Sequence, residues 1–213
     1  NPPESSWTSC NPESIVILVA HDSVEVIELN ISASDGAGYS ANASSGDPEL
    51  SFDIATRRLV WRPNPPLPNI GTITLNLSVR NELSTITSDS WIFFIDRIAP
   101  EILNMSPACD AVVSTSSPDI FIIARDQGCG DITPTLRING TIYPVSASHD
   151  TLRLDSTLVF PGSSSVNVCW TLIDCADDVC SANETDTCCS FIVAGGGPVA
   201  TVRTPGNNYF VSC

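Results

Sequence analysis

From Ile73 to Val79 the chain alternates without a slip: Ile73, Leu75, Leu77 and Val79 are apolar, and Thr74, Asn76 and Ser78 between them are polar. A two-residue period puts the two sets on opposite faces of an extended strand, one buried and one wet. The pattern recurs. Val24, Val26, Leu29, Ile31 and Ala33 mark a strand whose register changes near Ile27, and Trp91, Phe93 and Ile95 mark another. In the second half the same reading predicts strands over 120–124, 136–142, 152–158, 166–173 and 189–193. Turn-forming clusters separate them, at 44–48 (Ser-Ser-Gly-Asp-Pro), 64–66 and 161–163. No stretch has a 3.6-residue period. Short strands at this spacing predict an all-β chain built of sandwiches.

The length of 213 residues suffices for two domains, each with its own core. A hydrophobic fraction of 42% and four Trp argue against disorder. The longest apolar run, Ile15 to Ala20, has the length of a strand, so no membrane span is expected in this segment. No basic start precedes an apolar stretch, which reads as a processed chain or an internal fragment. The formal charge is −15, and all nine basic residues are Arg. An acidic chain without a basic patch is a poor nucleic-acid partner. The absence of Lys also excludes Lys–Asn isopeptide cross-links.

One boundary is expected at Asp96 to Pro100, where a strand ends and a Pro restarts the chain in extended form. A second is expected at Gly195-Gly196-Gly197-Pro198. The units are then 1–96, 97–194, and 195–213 as linker and first strand of a following repeat. The last segment supplies the reason. Thr204 to Cys213 laid beneath Asn1 to Cys10 matches Pro205 with Pro2, Phe210 with Trp7, Ser212 with Ser9 and Cys213 with Cys10. A weaker echo puts Val113-Ser114 in the place of Thr8-Ser9. Another matches Ile31 and Asp35 with Ile122 and Asp126. Repetition at a fixed period predicts an array.

The second half resembles bacterial immunoglobulin-like and hyalin-type repeats. The residues that carry this are 96–100 (Asp-Arg-Ile-Ala-Pro), Ser106-Pro107, Asp126 with Gly128 and Gly130, Ile138-Asn139-Gly140, and the closing 189–193 (Cys-Ser-Phe-Ile-Val). The first half resembles the Ig domains of the cadherin-like group through 50–56, Leu59-Val60-Trp61 and 71–79. The resemblance implies two tandem immunoglobulin-like β-sandwiches plus the first strand of a third, and an extracellular adhesive or spacer module. Fold alone does not fix function.

Nine cysteines point to an oxidising compartment and to disulfides. They are Cys10, Cys109, Cys129, Cys169, Cys175, Cys180, Cys188, Cys189 and Cys213. Zinc is disfavoured, because no paired C-x-x-C and no nearby His accompany them, and His21 and His149 are isolated. Cys175–Cys180 is the first expected pair, closing a loop between the last two strands. Cys213 is expected to bond Cys188 or Cys189 across domains, and Cys10 by repetition an upstream sandwich. The alternative for Cys10 and Cys213 is a bond between subunits.

Six N-x-S/T motifs, at Asn30, Asn42, Asn76, Asn104, Asn139 and Asn183, are candidate N-glycosylation sites. Asn30 and Asn76 fall on the polar side of alternating strands. Acidic residues gather at Asp174, Asp177 and Asp178, and at Asp126 and Asp131, but match no complete calcium loop, so calcium is disfavoured and no metal site or cofactor is expected. No nucleophile motif, phosphate loop or His-based dyad appears, so no catalytic residues and no enzyme activity are expected. Trp61, Trp91 and Trp170 fit core positions; Trp7 fits a domain junction. The leading expectation is a structural repeat of an extracellular or cell-surface filament, sheath or stalk. It would be glycosylated and disulfide-stapled, and associate with itself or with neighbouring repeats of the same chain. The 1–7 arm is a candidate for strand addition to a neighbour. The alternatives are an adhesin or receptor ectodomain binding protein or glycan through its loops, and an accessory domain of a secreted hydrolase.

Overall fold

A computed structural model describes residues 4–9, 14–19, 26–176 and 180–195. Every helix or strand element among them is a strand. The first half contains β1 (Trp7–Thr8), β2 (Ile15–Leu18), β3 (Val26–Ser34), β4 (Ser40–Ser44), β5 (Leu50–Asp53), β6 (Arg58–Trp61), β7 (Ile70–Asn81) and β8 (Ile86–Asp96). One sheet has the order β1-β8-β7-β3-β4 and the other β2-β6-β5. Their facing residues make one core. Ile31, Ile73, Leu75, Phe93 and Ile95 come from the larger sheet, and Ile15, Leu59 and Trp61 from the smaller. Each such side chain taken from water contributes roughly 1.5–3 kcal/mol.

The second half contains β9 (Glu101–Ser106), β10 (Val112–Val113), β11 (Phe121–Arg125), β12 (Thr133–Ile138), β13 (Thr141–Tyr143), β14 (Val145–Ser148), β15 (Thr151–Leu154), β16 (Ser165–Ile173) and β17 (Glu184–Val193). Its sheets run β10-β17-β16-β12-β13 and β14-β15-β11-β9. Its separate core centres on Ile122, Leu136, Trp170, Leu172 and Phe191. The two orders superimpose strand for strand: a two-residue strand lies parallel to the last strand of each half, followed inward by equivalent neighbours. Only β9, on the edge of the smaller second sheet, lacks a counterpart among the described strands. The chain is a tandem of two immunoglobulin-like β-sandwiches.

The alternating segments behave as the period requires. Ile73, Leu75 and Leu77 are buried, and the register shift in β3 falls between Val26 and Glu28, on either side of Ile27. Trp61 and Trp170 are wholly buried, while Trp91 only packs partly against the first core.

Four expectations change. The strand over 136–142 is a hairpin, β12 and β13, because Asn139 and Gly140 take φ of +49° and +84°. Two consecutive left-handed residues are the geometry of the tightest hairpin turn, and Asn-Gly is the pair that tolerates it. The strand over 152–158 ends at Leu154. The match of Ile31 with Ile122 is not an equivalence: β3 lies in the five-stranded sheet of its sandwich and β11 in the opposite sheet of the other. Finally, Trp7-Thr8 is no arm for a neighbour, since it pairs in parallel with Phe94-Ile95 of its own chain, and Trp7 stacks on Phe94 at 4.9 Å. The echo of Thr8 in Val113 is a true equivalence, opposite Ile95 and Val193 respectively. The expected third unit, 195–213, lies outside the described residues apart from Gly195.

Candidate functional site at the domain junction

β8 ends at Asp96 and β9 begins at Glu101, so Asp96 closes the first sandwich against the second. Its side chain is wholly buried. The Ile98 N–H donates to its Oδ1 at 3.0 Å and the Cys129 N–H to its Oδ2 at 2.9 Å. Gly128 permits that approach: a Cβ there would stand 1.9 Å from Asp96 Oδ2, so any side chain would force the carboxylate or the loop to move. Asp126 Oδ2 accepts from the N–H groups of Gly128 and Gly130, folding the β11–β12 loop around the carboxylates. Asp126 Oδ1 is buried with no hydrogen-bond partner among the described residues.

Asp174, also buried, follows β16. Its Oδ1 accepts from the N–H groups of Ala176 and Asn183, and its Oδ2 from Asn183 Nδ2 at 2.5 Å. The same Nδ2 donates to the Asp96 carbonyl at 3.0 Å. Thr185 Oγ1 donates to the Pro100 carbonyl at 2.6 Å, and Ser9 Oγ to the Ser181 carbonyl at 2.6 Å. The first sandwich therefore meets the second at the end of its last strand, through Asp96, and just past its first strand, through Ser9.

Asp96, Asp126 and Asp174 each bring an oxygen, with Cys129 Sγ, within 4.8 Å of one another. Cys129 is no thiolate ligand, because it is bonded to Cys175. The carboxylates are mostly engaged by protein N–H donors, which is the chemistry of a structural joint. Burial pushes the Asp96 carboxyl up, and the charges of Asp126 and Asp174 add to the rise, against the pull of the Cys129 and Ile98 N–H groups. Neither acidic cluster noted in the sequence is the joint by itself. Asp126 comes from one and Asp174 from the other, while Asp177 and Asp178 lie outside the described residues. Nothing in the sequence connects these two to Asp96; only the packing of one sandwich on the other does.

The cysteines differ from expectation. Cys175 bonds Cys129, not Cys180; Cys188 bonds Cys169 and Cys189 bonds Cys109, so neither is open to Cys213. The physical reason lies in the strand: adjacent residues point to opposite faces. On β17 Cys189 shares the side of the core residues Phe191 and Val193, and Cys188 faces outward beside Cys169, its register partner on β16. Cys180 is disulfide-bonded as well. Cys10 and Cys213 lie outside the described residues. The disulfides point to an oxidising compartment.

Of the six motif asparagines, Asn30, Asn42, Asn76, Asn104 and Asn139 are exposed. Asn183 is partly buried in the joint just described. Among the described residues no helix is long and apolar enough to cross a membrane.

No family model and no curated protein matches the chain. Solved structures do. A three-domain Ig segment of titin, I67–I69 in an E-to-A variant, matches at 10% identity and TM-score 0.46 over 80% of this chain. This chain spans 60% of the length of that structure. Fibronectin(III)-like modules of Clostridium thermocellum CbhA match at 12% identity and TM-score 0.40, over 98% of each chain. The extracellular domain of protocadherin GammaB4 matches at 13% identity and TM-score 0.38, over 76% of this chain and 26% of that one.

Proposed function

We propose that the chain is a non-enzymatic structural unit of an extracellular or cell-surface stalk, sheath or filament, in which sandwiches in series act as a stiff spacer. The observation that carries this is the junction. A flexible tether between domains exposes its polar groups to water, whereas here Asp96 is wholly buried and hydrogen-bonded from the second sandwich. Asn183 ties the backbone of one sandwich to a carboxylate of the other. The disulfides fit a chain that works outside the cell under load, where covalent closure limits unfolding. The role needs no cofactor and no nucleic acid; its partners are neighbouring repeats or further copies.

Small-angle X-ray scattering of the whole oxidised chain, alone and as Asn183→Ala, tests this. A spacer gives one well-defined interdomain distance peak, which broadens in the variant. A broad peak in the unaltered chain, as from two freely tethered beads, overturns the proposal and returns the chain to the class of loop-binding adhesins.

A further inference from the structure

Three N-x-S motifs of the first sandwich fold onto one patch. In each the middle residue points into the core: Ile31 in 30–32, Ala43 in 42–44 and Leu77 in 76–78 are 2%, 3% and 7% exposed. The strand period then turns every Asn and every Ser of the three motifs outward. The registers interleave them. Ser44 on β4 lies opposite Asn30 on β3, which lies opposite Ser78 on β7. In the next row Asn42 lies opposite Ser32, which lies opposite Asn76. Ser88 and Ser90 of β8 continue the two rows. The result is an open depression of about 490 Å³ walled by small polar side chains.

Within this patch the asparagines are not equivalent. Asn30 donates to Glu28 Oε1 and accepts from Ser44 Oγ. Asn42 and Asn76 are exposed and make no side-chain hydrogen bond among the described residues. Asn42 also sits on β4, the outer strand of the sheet. Its sequence, Ser-Ala-Asn-Ala-Ser, has no charge and no Pro, and its pairing with β3 has no bulge. Charge, Pro and bulges are among the devices by which sheet edges avoid pairing with another copy, and β4 has none of these three.

We propose that the β4-β3-β7-β8 face is a glycan-bearing face, and that an N-linked glycan on Asn42, with a second on Asn76, covers the bare β4 edge. The step is ordinary N-glycosyl transfer. Asn Nδ2 bonds to the anomeric carbon of a lipid-linked glycosyl diphosphate, the bond from that carbon to the diphosphate oxygen breaks, and the amide loses one proton to a base. No electrons change hands. The proposal rests on the extracellular reading above, because the glycosyl donor is met only on the secretory route.

The test expresses the whole chain behind a secretory leader in eukaryotic cells. Glycopeptides are mapped on total and secreted protein, and mass is measured by light scattering after gel filtration. The expected result is sugar on Asn42 and a monomer. Ser44→Ala removes the acceptor motif but keeps Asn42, and should shift the mass at least twofold. Asn42→Gln removes the acceptor but keeps Ser44 and its bond to Asn30, and should shift the mass equally, which separates the glycan from that bond. Ser44→Thr preserves the motif and should stay monomeric and glycosylated. An unmodified Asn42, or a Ser44→Ala protein that stays monomeric, overturns the proposal. Secretion with the disulfides formed supports the extracellular reading whatever Asn42 carries, and retention of a reduced chain counts against that reading alone.

Discussion

The two sandwiches share a strand order but not a means of stability. The first is held by its apolar core, with no disulfide among its described residues, and a patch on the outer face of its larger sheet is a grid of Ser and Asn. On the equivalent face of the second, Cys169–Cys188 bridges β16 and β17. Two further bridges, Cys109–Cys189 and Cys129–Cys175, tie the turn before β10 to β17 and the β11–β12 loop to the segment after β16. The difference teaches that topology sets where covalent links can go, not whether they are used. One fold tolerates both because its alternating strands already provide a complete interior.

Reduction should separate the two most. The bridges close loops of 80, 46 and 19 residues. By loop-closure entropy each contributes roughly 3–4.5 kcal/mol. Calorimetry of the whole chain should show two transitions, of which dithiothreitol lowers or abolishes the one belonging to the second sandwich and leaves the first near its place. Equal movement of both would erase the comparison.

Core truncation should show the same asymmetry from the other side. Trp61→Ala and Trp170→Ala each remove a wholly buried ring, at a cost of about 3–5 kcal/mol. We expect Trp61→Ala to unfold the first sandwich at ambient temperature. Trp170→Ala should leave the second folded while oxidised and unfold it only on reduction. Far-ultraviolet circular dichroism with and without reductant reads both.

Gly128→Ala probes the joint that the halves share. Its methyl would collide with Asp96 Oδ2, so the carboxylate or the loop must move, at a cost of roughly 1–3 kcal/mol. Amide hydrogen exchange should rise around 96–98, 126–130, 174–176 and 180–183, with the two cores unchanged.

Acidification gives the smallest and most discriminating effect. In the first sandwich Glu28 is held low by Arg80, Asp35 by the N–H groups of Ala37, Tyr39 and Gly38, and Asp53 by Thr56 and Ala55. A lowered folded-state pKa contributes stability above the ordinary carboxylate value and loses it as pH falls through the folded value. Asp96 is raised, so its contribution has the opposite sign: it is fully present below the ordinary value near 3.8 and lost as pH rises through the folded one. From pH 7 toward 4 the protection factors at 96–98, exchange rates divided into the intrinsic rate at each pH, should rise, and below 4 the first sandwich should begin to lose stability. Protection factors at 96–98 that fall as pH drops over the upper range would contradict the direction given for Asp96.

The joint was the least legible part. Asp126 and Asp174 stand out as acidic residues, but each has closer acidic neighbours in sequence, and Asp96 is an ordinary strand end. Asn183 reads as a glycosylation motif and is found donating across the junction. A usable sign did exist for the cysteines. Two adjacent cysteines in a strand face opposite ways, so Cys188 and Cys189 had to seek partners on different sides of the sheet. Asn30, Asn42 and Asn76 were recognisable singly; that they share one patch depends on the register of β3 against β4 and β7.

Periodicity, turn chemistry and the buried faces were thus determined by the sequence alone, because each depends on residues one to four positions apart and on backbone geometry that any extended chain obeys. Disulfide pairing, the carboxylate joint and the clustering of acceptor asparagines were decided by the tertiary structure. Each brings together groups tens of residues apart, and a single step of strand register would turn the same side chains to the opposite face.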